Sequence, residues 1–237
     1  PLAEEIARRI NAAIVGAVAA RPDRFLGLGY APLQHPALAV RVLEGLMAAG
    51  LRGIEITSDP TGRGLDDPAL DPVWAAAERL GAVLFLHPMG TSLGTRVNRY
   101  YLSNVIGQPL ETTIALSQLI YGGVLARHPG LRLCAAHGGG YLPFAPGRFD
   151  HAAGVRPETE GHVPGGHLQR LWFDTVVFRP DALRWLLDSP WTSLASPTQD
   201  IALAMATAMA LVTPLGYLVS LGSAWMLATG RYANTLY

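Results

Sequence analysis

The sequence predicts an α/β fold built on parallel strands. Short runs that are apolar at nearly every position alternate with stretches whose apolar residues recur at three-and-four spacing. Strands without polar alternation are covered on both faces, which is the habit of parallel sheets. Taken in order, "LAEEIARRINAAIVGAVAARPDR" is a helix stopped at Arg21-Pro22-Asp23, and "FLGLGYAPL" a buried strand. "HPALAVRVLEGLMAAG" is a helix closed by Gly50, and "LRGIEIT" the next strand. "DDPALDPVWAAAERLG" is a helix with Asp ahead and Gly81 behind, and "AVLFLHP" a strand. After a long polar connection come the helix "PLETTIALSQLIYGGVLARHPG" and the strand "LRLCAAHGG". A strand "LWFDTVVF" and a helix "PDALRWLLD" complete the pattern. Five strands fit either an open doubly wound sheet or part of an eight-stranded βα barrel.

Alternation stops at Ser189. Residues 1–188 form the α/β unit, and 189–237 an atypical tail. Ile201 to Gly230 carries no charged residue, long enough for a membrane span. Its Ala, Thr, Ser and Gly content and Pro214 lower its hydrophobicity, so buried helix, or a poorly folded tail unrelated to the rest, is expected in place of a membrane span.

Composition narrows the function. The 237 residues are half hydrophobic, enough for one large domain. Eighteen basic residues balance eighteen acidic ones, which gives no support for a nucleic-acid partner. One cysteine, Cys134, excludes an internal disulfide and a cysteine-rich zinc module, and its apolar strand makes it a core residue. The start resembles an amphipathic helix and no signal peptide, so a cytoplasmic protein is expected. "LGLGYA" runs into Pro32 and lacks the helix a dinucleotide turn needs. No G-x-S-x-G elbow is present to anchor a hydrolase triad.

Two histidines stand where the chemistry of a parallel fold is found. His87 in "LFLHP" and His137 in "CAAHGGG" are each the first polar residue after an apolar run. Carboxyl ends of strands form the active face, so both rings are expected in one cavity. Glycines after His137 allow close backbone approach. Asp174 in "WFDTVVF" either supports His137 or bonds to backbone. His35 and His128 precede prolines and are expected to be exposed. His151, His162 and His167 fall in a polar connection.

Several stretches resemble a known family: "NRYYLSNVIGQPLETTIALSQLIYGGVLARHPGLRLCAAHGGGYLPFAPGRFDHAAGVRPE", "RPDRFLGLGYAPLQ", "LDDPALDPVWAAAERLGAVLFLHP" and "FDTVVFRPDALRWLLD". From about Leu2 to Asp188 the chain resembles the aminocarboxymuconate-semialdehyde decarboxylase branch of the amidohydrolase superfamily. The resemblance implies a distorted (β/α)8 barrel, incomplete here, with one divalent metal, usually zinc. It implies non-oxidative decarboxylation of a small unsaturated or aromatic carboxylic acid, and a homodimer. By position His87 matches a metal ligand and His137 the general acid/base. Arg148 matches an arginine that clamps a substrate carboxylate, in some members from the neighbouring subunit. Asn104 falls where the named decarboxylase has an active-site tryptophan, so it would contact substrate. Neutral imidazole suits a divalent metal, histidine has a pKa fit to move a proton, and guanidinium grips a carboxylate with two bonds.

Two departures bear on activity. The family's His-x-His pair of ligands occurs nowhere here, and the late Asp block is replaced by "SPWTSLASPTQD". The ligand set is therefore incomplete, as in a barrel missing its first strand with its last part replaced. A metal-dependent decarboxylase is the leading expectation. Its alternatives are a non-catalytic remnant of the family without a complete metal site, and a hydrolase of a related lactone or amide.

Overall fold

The computed structural model describes residues 1–188, and the backbone of 218–221 and 224–227. Helix α1 (Leu2–Ala20) precedes strand β1 (Leu28–Tyr30), helix α2 (Pro36–Ala48) and strand β2 (Gly53–Ile56). Helix α3 (Asp71–Leu80), strand β3 (Val83–Leu86), helix α4 (Gln108–Tyr121) and the single turn α5 (Val124–Arg127) follow. Strand β4 (Arg132–Ala135), helices α6 (Pro146–Val155) and α7 (Pro164–Leu168), strand β5 (Trp172–Phe173) and helix α8 (Pro180–Asp188) complete the unit.

The five strands are parallel and lie in the order β1-β2-β3-β4-β5. A doubly wound sheet would reverse direction at a switch point. Here sequence order and sheet order coincide, which is the winding of a βα barrel. The packing agrees. Ile54, Ile56, Leu84, Leu86, Leu133 and Ala135 face one way into a single cluster with Leu43, Trp74, Leu116 and Ile120 of the helices. Phe85, Cys134 and Ala136 face the other way, in a smaller cluster with Leu28 and Trp172. Strand alternation produces the two sets. The first is the helix-covered outside of the barrel wall, and the second its inside.

Two local contacts fix the ends of this wall. On the side of β1 away from β2, the Asn11 side chain of α1 donates to the Tyr30 carbonyl and accepts from its N–H, both at 2.8 Å. An amide side chain thus satisfies an edge-strand residue that would otherwise offer free pairing groups. At the start of β2, Gly53 is a steric requirement, since a Cβ there would overlap the backbone of Val83 on β3.

Several expectations need correction. The helix expected to run from Pro109 to Gly130 breaks after Tyr121, because Gly123 takes a left-handed conformation with φ 70°. The strand around Trp172 is only two residues long, because the Asp174 carboxylate draws the chain into a turn. The connection holding His151 and His167 contains helices α6 and α7. His128 is buried rather than exposed. Its Nε2 lies 3.1 Å from Asp71 Oδ1 and its Nδ1 3.3 Å from Glu78 Oε2, both on α3. Glu78 also accepts from the Gly130 N–H at 2.6 Å. A proline after His128 marks a helix end, yet here the ring becomes the clamp between α3 and the entry to β4. Of the apolar tail, the backbone at Leu218–Leu221 and Ala224–Leu227 pairs as antiparallel strands. The remainder, expected as buried helix, lies outside the described residues. Among the described residues no helix is long and apolar enough to cross a membrane.

Two glycine substitutions should act with opposite sign. Gly53→Ala should lower stability by on the order of 2 kcal/mol or more, through the Val83 clash. Gly16→Ala, on an exposed stretch of α1 with open space around it, should raise stability by roughly 0.5–1 kcal/mol. Denaturant unfolding reads both. The bond to His128, with help from Arg127 and against burial, holds the Asp71 carboxyl below its usual range. Its stabilisation is therefore present above the ordinary carboxylate pKa and is lost as pH falls through the lower folded value. Asp71→Asn should remove that part of the acid dependence below about pH 4, measured as unfolding midpoint against pH.

Candidate functional site

The barrel wall delivers two histidines to one place. His87 directly follows β3, and its N–H continues the ladder by donating to the Ile56 carbonyl at 2.9 Å. His137 follows the neighbouring β4 by one residue. The two ring centroids are 5.3 Å apart with a 44° tilt. The rings therefore stand side by side at the carboxyl ends of adjacent strands.

His137 is held in an uncommon conformation. Its φ is +58°, and Gly138, Gly139 and Gly140 continue with φ of 60°, 81° and 68°. A side chain at any of the three would collide: with Val177 and Leu186 at Gly138, with the Phe173 ring at Gly139, with Thr113 and the Pro109 carbonyl at Gly140. The run of glycines follows from left-handed backbone in a crowded turn. The turn is held by Asp174, whose Oδ1 accepts from the Gly138 N–H at 2.8 Å and from the Val176 N–H at 3.2 Å. Both options left open for Asp174 meet in this arrangement: it bonds to backbone, and through backbone it supports His137. Burial pushes its carboxyl upward in pKa, opposed by these backbone bonds.

Helix α4 supplies the rest of the scaffold through three consecutive residues. Glu111 is buried and accepts from the Ser92 N–H and hydroxyl, each at 2.6 Å, which pins the loop after His87. Thr112 Oγ1 lies 3.1 Å from His137 Nδ1 and 3.2 Å from the Gln108 carbonyl, to which it donates. A hydroxyl has one proton, so this bond leaves its oxygen to accept from Nδ1–H, with Nε2 carrying the lone pair. Thr113 Oγ1 donates to the Pro109 carbonyl at 2.8 Å and accepts from the Tyr141 N–H at 3.0 Å. Pattern in the stretch "ETTIAL" alone assigns these three residues no role. Buried polar residues in the first turns of a helix ahead of the histidine strand were the available signal.

Electrostatics favour a neutral ring. Burial, and then the neighbouring His87, push the His137 pKa down to about 4. Its imidazole is therefore uncharged near neutrality and able to accept a proton. Cys134 is buried and its thiol is pushed up by burial, so it is a core residue and no nucleophile.

Arg148 and Asn104, the other expected site residues, lie at the surface. Arg148 is exposed on the first turn of α6, and its side chain forms no ion pair among the described residues. Asn104 is exposed in the π-helical turn Ser103–Gly107. Neither is joined to the histidines by a hydrogen bond or ion pair among the described residues. Among the described residues no group of three His, Cys, Asp or Glu side chains gathers as a metal requires. His87 offers one imidazole, so this donor set does not complete a metal site.

Comparison with known proteins agrees with the fold. The amidohydrolase family profile matches residues 2–189. The chain is 37% identical to the 2-amino-3-carboxymuconate-6-semialdehyde decarboxylase of Dictyostelium discoideum over 78% of its own length and 53% of that protein. It superposes on the crystal structure of 5-carboxyvanillate decarboxylase from Sphingomonas paucimobilis with a TM-score of 0.74 and 28% identity, covering 86% of this chain and 66% of that one. The 5-carboxyvanillate decarboxylase of Novosphingobium aromaticivorans, complexed with manganese and 4-hydroxy-3-methoxy-5-nitrobenzoic acid, gives a TM-score of 0.71 at 25% identity, covering 78% and 56%. The chain thus spans about half the length of the curated relative. The matched profile, the single-wound parallel sheet and the paired strand-end histidines together make this chain a member of the amidohydrolase family.

Proposed function

We propose that the chain carries the acid-binding and proton-transfer part of a non-oxidative decarboxylase for a small aromatic or unsaturated carboxylic acid. The observation that supports it most is the His87–His137 pair, 5.3 Å apart at adjacent strand ends in a member of this family. In the reaction the bond from carbon to the carboxylate breaks, carbon dioxide leaves, and a proton takes its place. His137 is the group proposed to move that proton through Nε2, since its Nδ1 is taken by Thr112. Arg148 is proposed as the carboxylate clamp. Its guanidinium forms no ion pair among the described residues, and an exposed position suits a role towards a second copy in a homodimer. Asn104 is proposed to contact the substrate, and a cytoplasmic location belongs to the same reading. The manganese in the Novosphingobium relative supports a divalent metal for the proposed enzyme. Zinc is the finer expectation, and His87 is the residue that would bind the metal.

The incomplete donor set favours a second reading for this polypeptide: a family member that keeps the wall and the histidine pair but holds no metal. Elemental analysis after loading with zinc or manganese separates the two. One ion per chain, with carbon dioxide released from 5-carboxyvanillate or 2-amino-3-carboxymuconate-6-semialdehyde, supports the enzyme. A metal-free chain without turnover supports the second reading. If the enzyme reading holds, His137→Gln should lower turnover by about 10²–10⁴-fold. Acid binding tests the clamp without turnover. In calorimetric titration with 4-hydroxy-3-methoxy-5-nitrobenzoic acid, Arg148→Ala should lose about 2–4 kcal/mol, and Arg148→Lys should recover only part. Unchanged affinity in Arg148→Ala ends the clamp assignment.

A further inference from the structure

We infer that Glu55 is the positioning residue for His87, the carboxylate that fixes which of its ring nitrogens carries the proton. Strands β2 and β3 are parallel neighbours with Glu55 opposite Phe85 and Ile56 opposite Leu86. The ladder runs one step further, because the His87 N–H donates to the Ile56 carbonyl. Alternation along a strand then puts Glu55, Phe85 and His87 on the same face, the inside of the wall. Glu55 and His87 side chains are 12% and 31% exposed, so the acid is the more enclosed of the two.

His87 Nδ1 is buried and has no hydrogen-bond partner among the described residues. Its nearest acid is Glu55, with Oε1 3.9 Å away. That gap exceeds a hydrogen bond by about 1 Å. The proposed bond requires Glu55 to close that gap through its side-chain torsions. A buried ring nitrogen left without a partner is costly, and a carboxylate beside it removes the cost. Asp174 is the other carboxylate whose charge reaches His87. Its Oδ1 is committed to the backbone of the His137 turn. By distance, Glu55 is the acid placed for His87. With Nδ1–H directed at Glu55, Nε2 carries the lone pair. An outer carboxylate of this kind sets the tautomer, ring angle and basicity of the histidine it holds.

The test reads the tautomer and needs neither metal nor turnover, so it can fail independently of the decarboxylase reading. Long-range ¹H–¹⁵N spectra of histidine-labelled, metal-free full chain, with His87 assigned by His87→Gln, should show a single Nδ1–H tautomer at His87. Glu55→Ala should lose that pattern, with both ring nitrogens shifting towards the averaged or Nε2–H positions, while His137 keeps its own signals. Glu55→Gln keeps an acceptor oxygen and should keep the Nδ1–H tautomer, which also guards against a fold defect in the alanine variant. An Nε2–H tautomer in the unmodified chain would overturn the inference. So would an Nδ1–H pattern that survives Glu55→Ala unchanged.

Discussion

The arrangement of the site depends on one buried carboxylate. Asp174 sits at the end of the short strand β5 and reaches across to the turn after β4, where it accepts from Gly138. Without that acceptor, a turn whose four residues from His137 to Gly140 all have positive φ would leave a backbone donor unsatisfied in a crowded interior. The same oxygen accepts from Val176, so β5 stops where the site begins. Strand length, turn geometry and the direction of His137 share one cause.

Around this constraint the wall acts as a ruler. Parallel pairing in sequence order brings the ends of β3 and β4 together, and the pleat decides what each face presents. Outward residues are uniformly apolar and bind the helices. Inward residues are mixed: Phe85 and Cys134 are buried, Glu55 and His87 are polar and only partly enclosed. A polar inner face is costly in a packed core and useful beside a ligand. Helix α4 completes the frame, with Glu111, Thr112 and Thr113 each bonding to a different part of the two loops. One helical turn thus sets the positions of both histidine-bearing segments.

Much of this was legible in the sequence. Five strands, their order along the chain and the two histidines at strand tips follow from apolar runs that end on a polar residue. What stayed hidden depends on contacts distant in sequence. His128 looked like a solvated residue before a proline, because its partners Asp71 and Glu78 lie 57 and 50 positions away. Gly123 split a helix that periodicity alone would continue. Glu55 is one charged residue in an apolar strand, and only the register with β3 shows that it stands beside His87. For the choice between a doubly wound sheet and a barrel, local pattern is silent by nature, since both are built from the same βα units.

Amide hydrogen exchange at Gly138 and Val176 tests the dependence on Asp174 most directly. Both N–H groups donate to a carboxylate that is only 4% exposed. The account predicts strong protection at both positions in the unmodified chain. It also predicts loss of that protection in Asp174→Ala while the amides of Leu84 and Leu133 in the wall stay protected. If Gly138 and Val176 exchange as freely as an exposed loop in the unmodified chain, the carboxylate does not hold the turn and the account of the site is wrong.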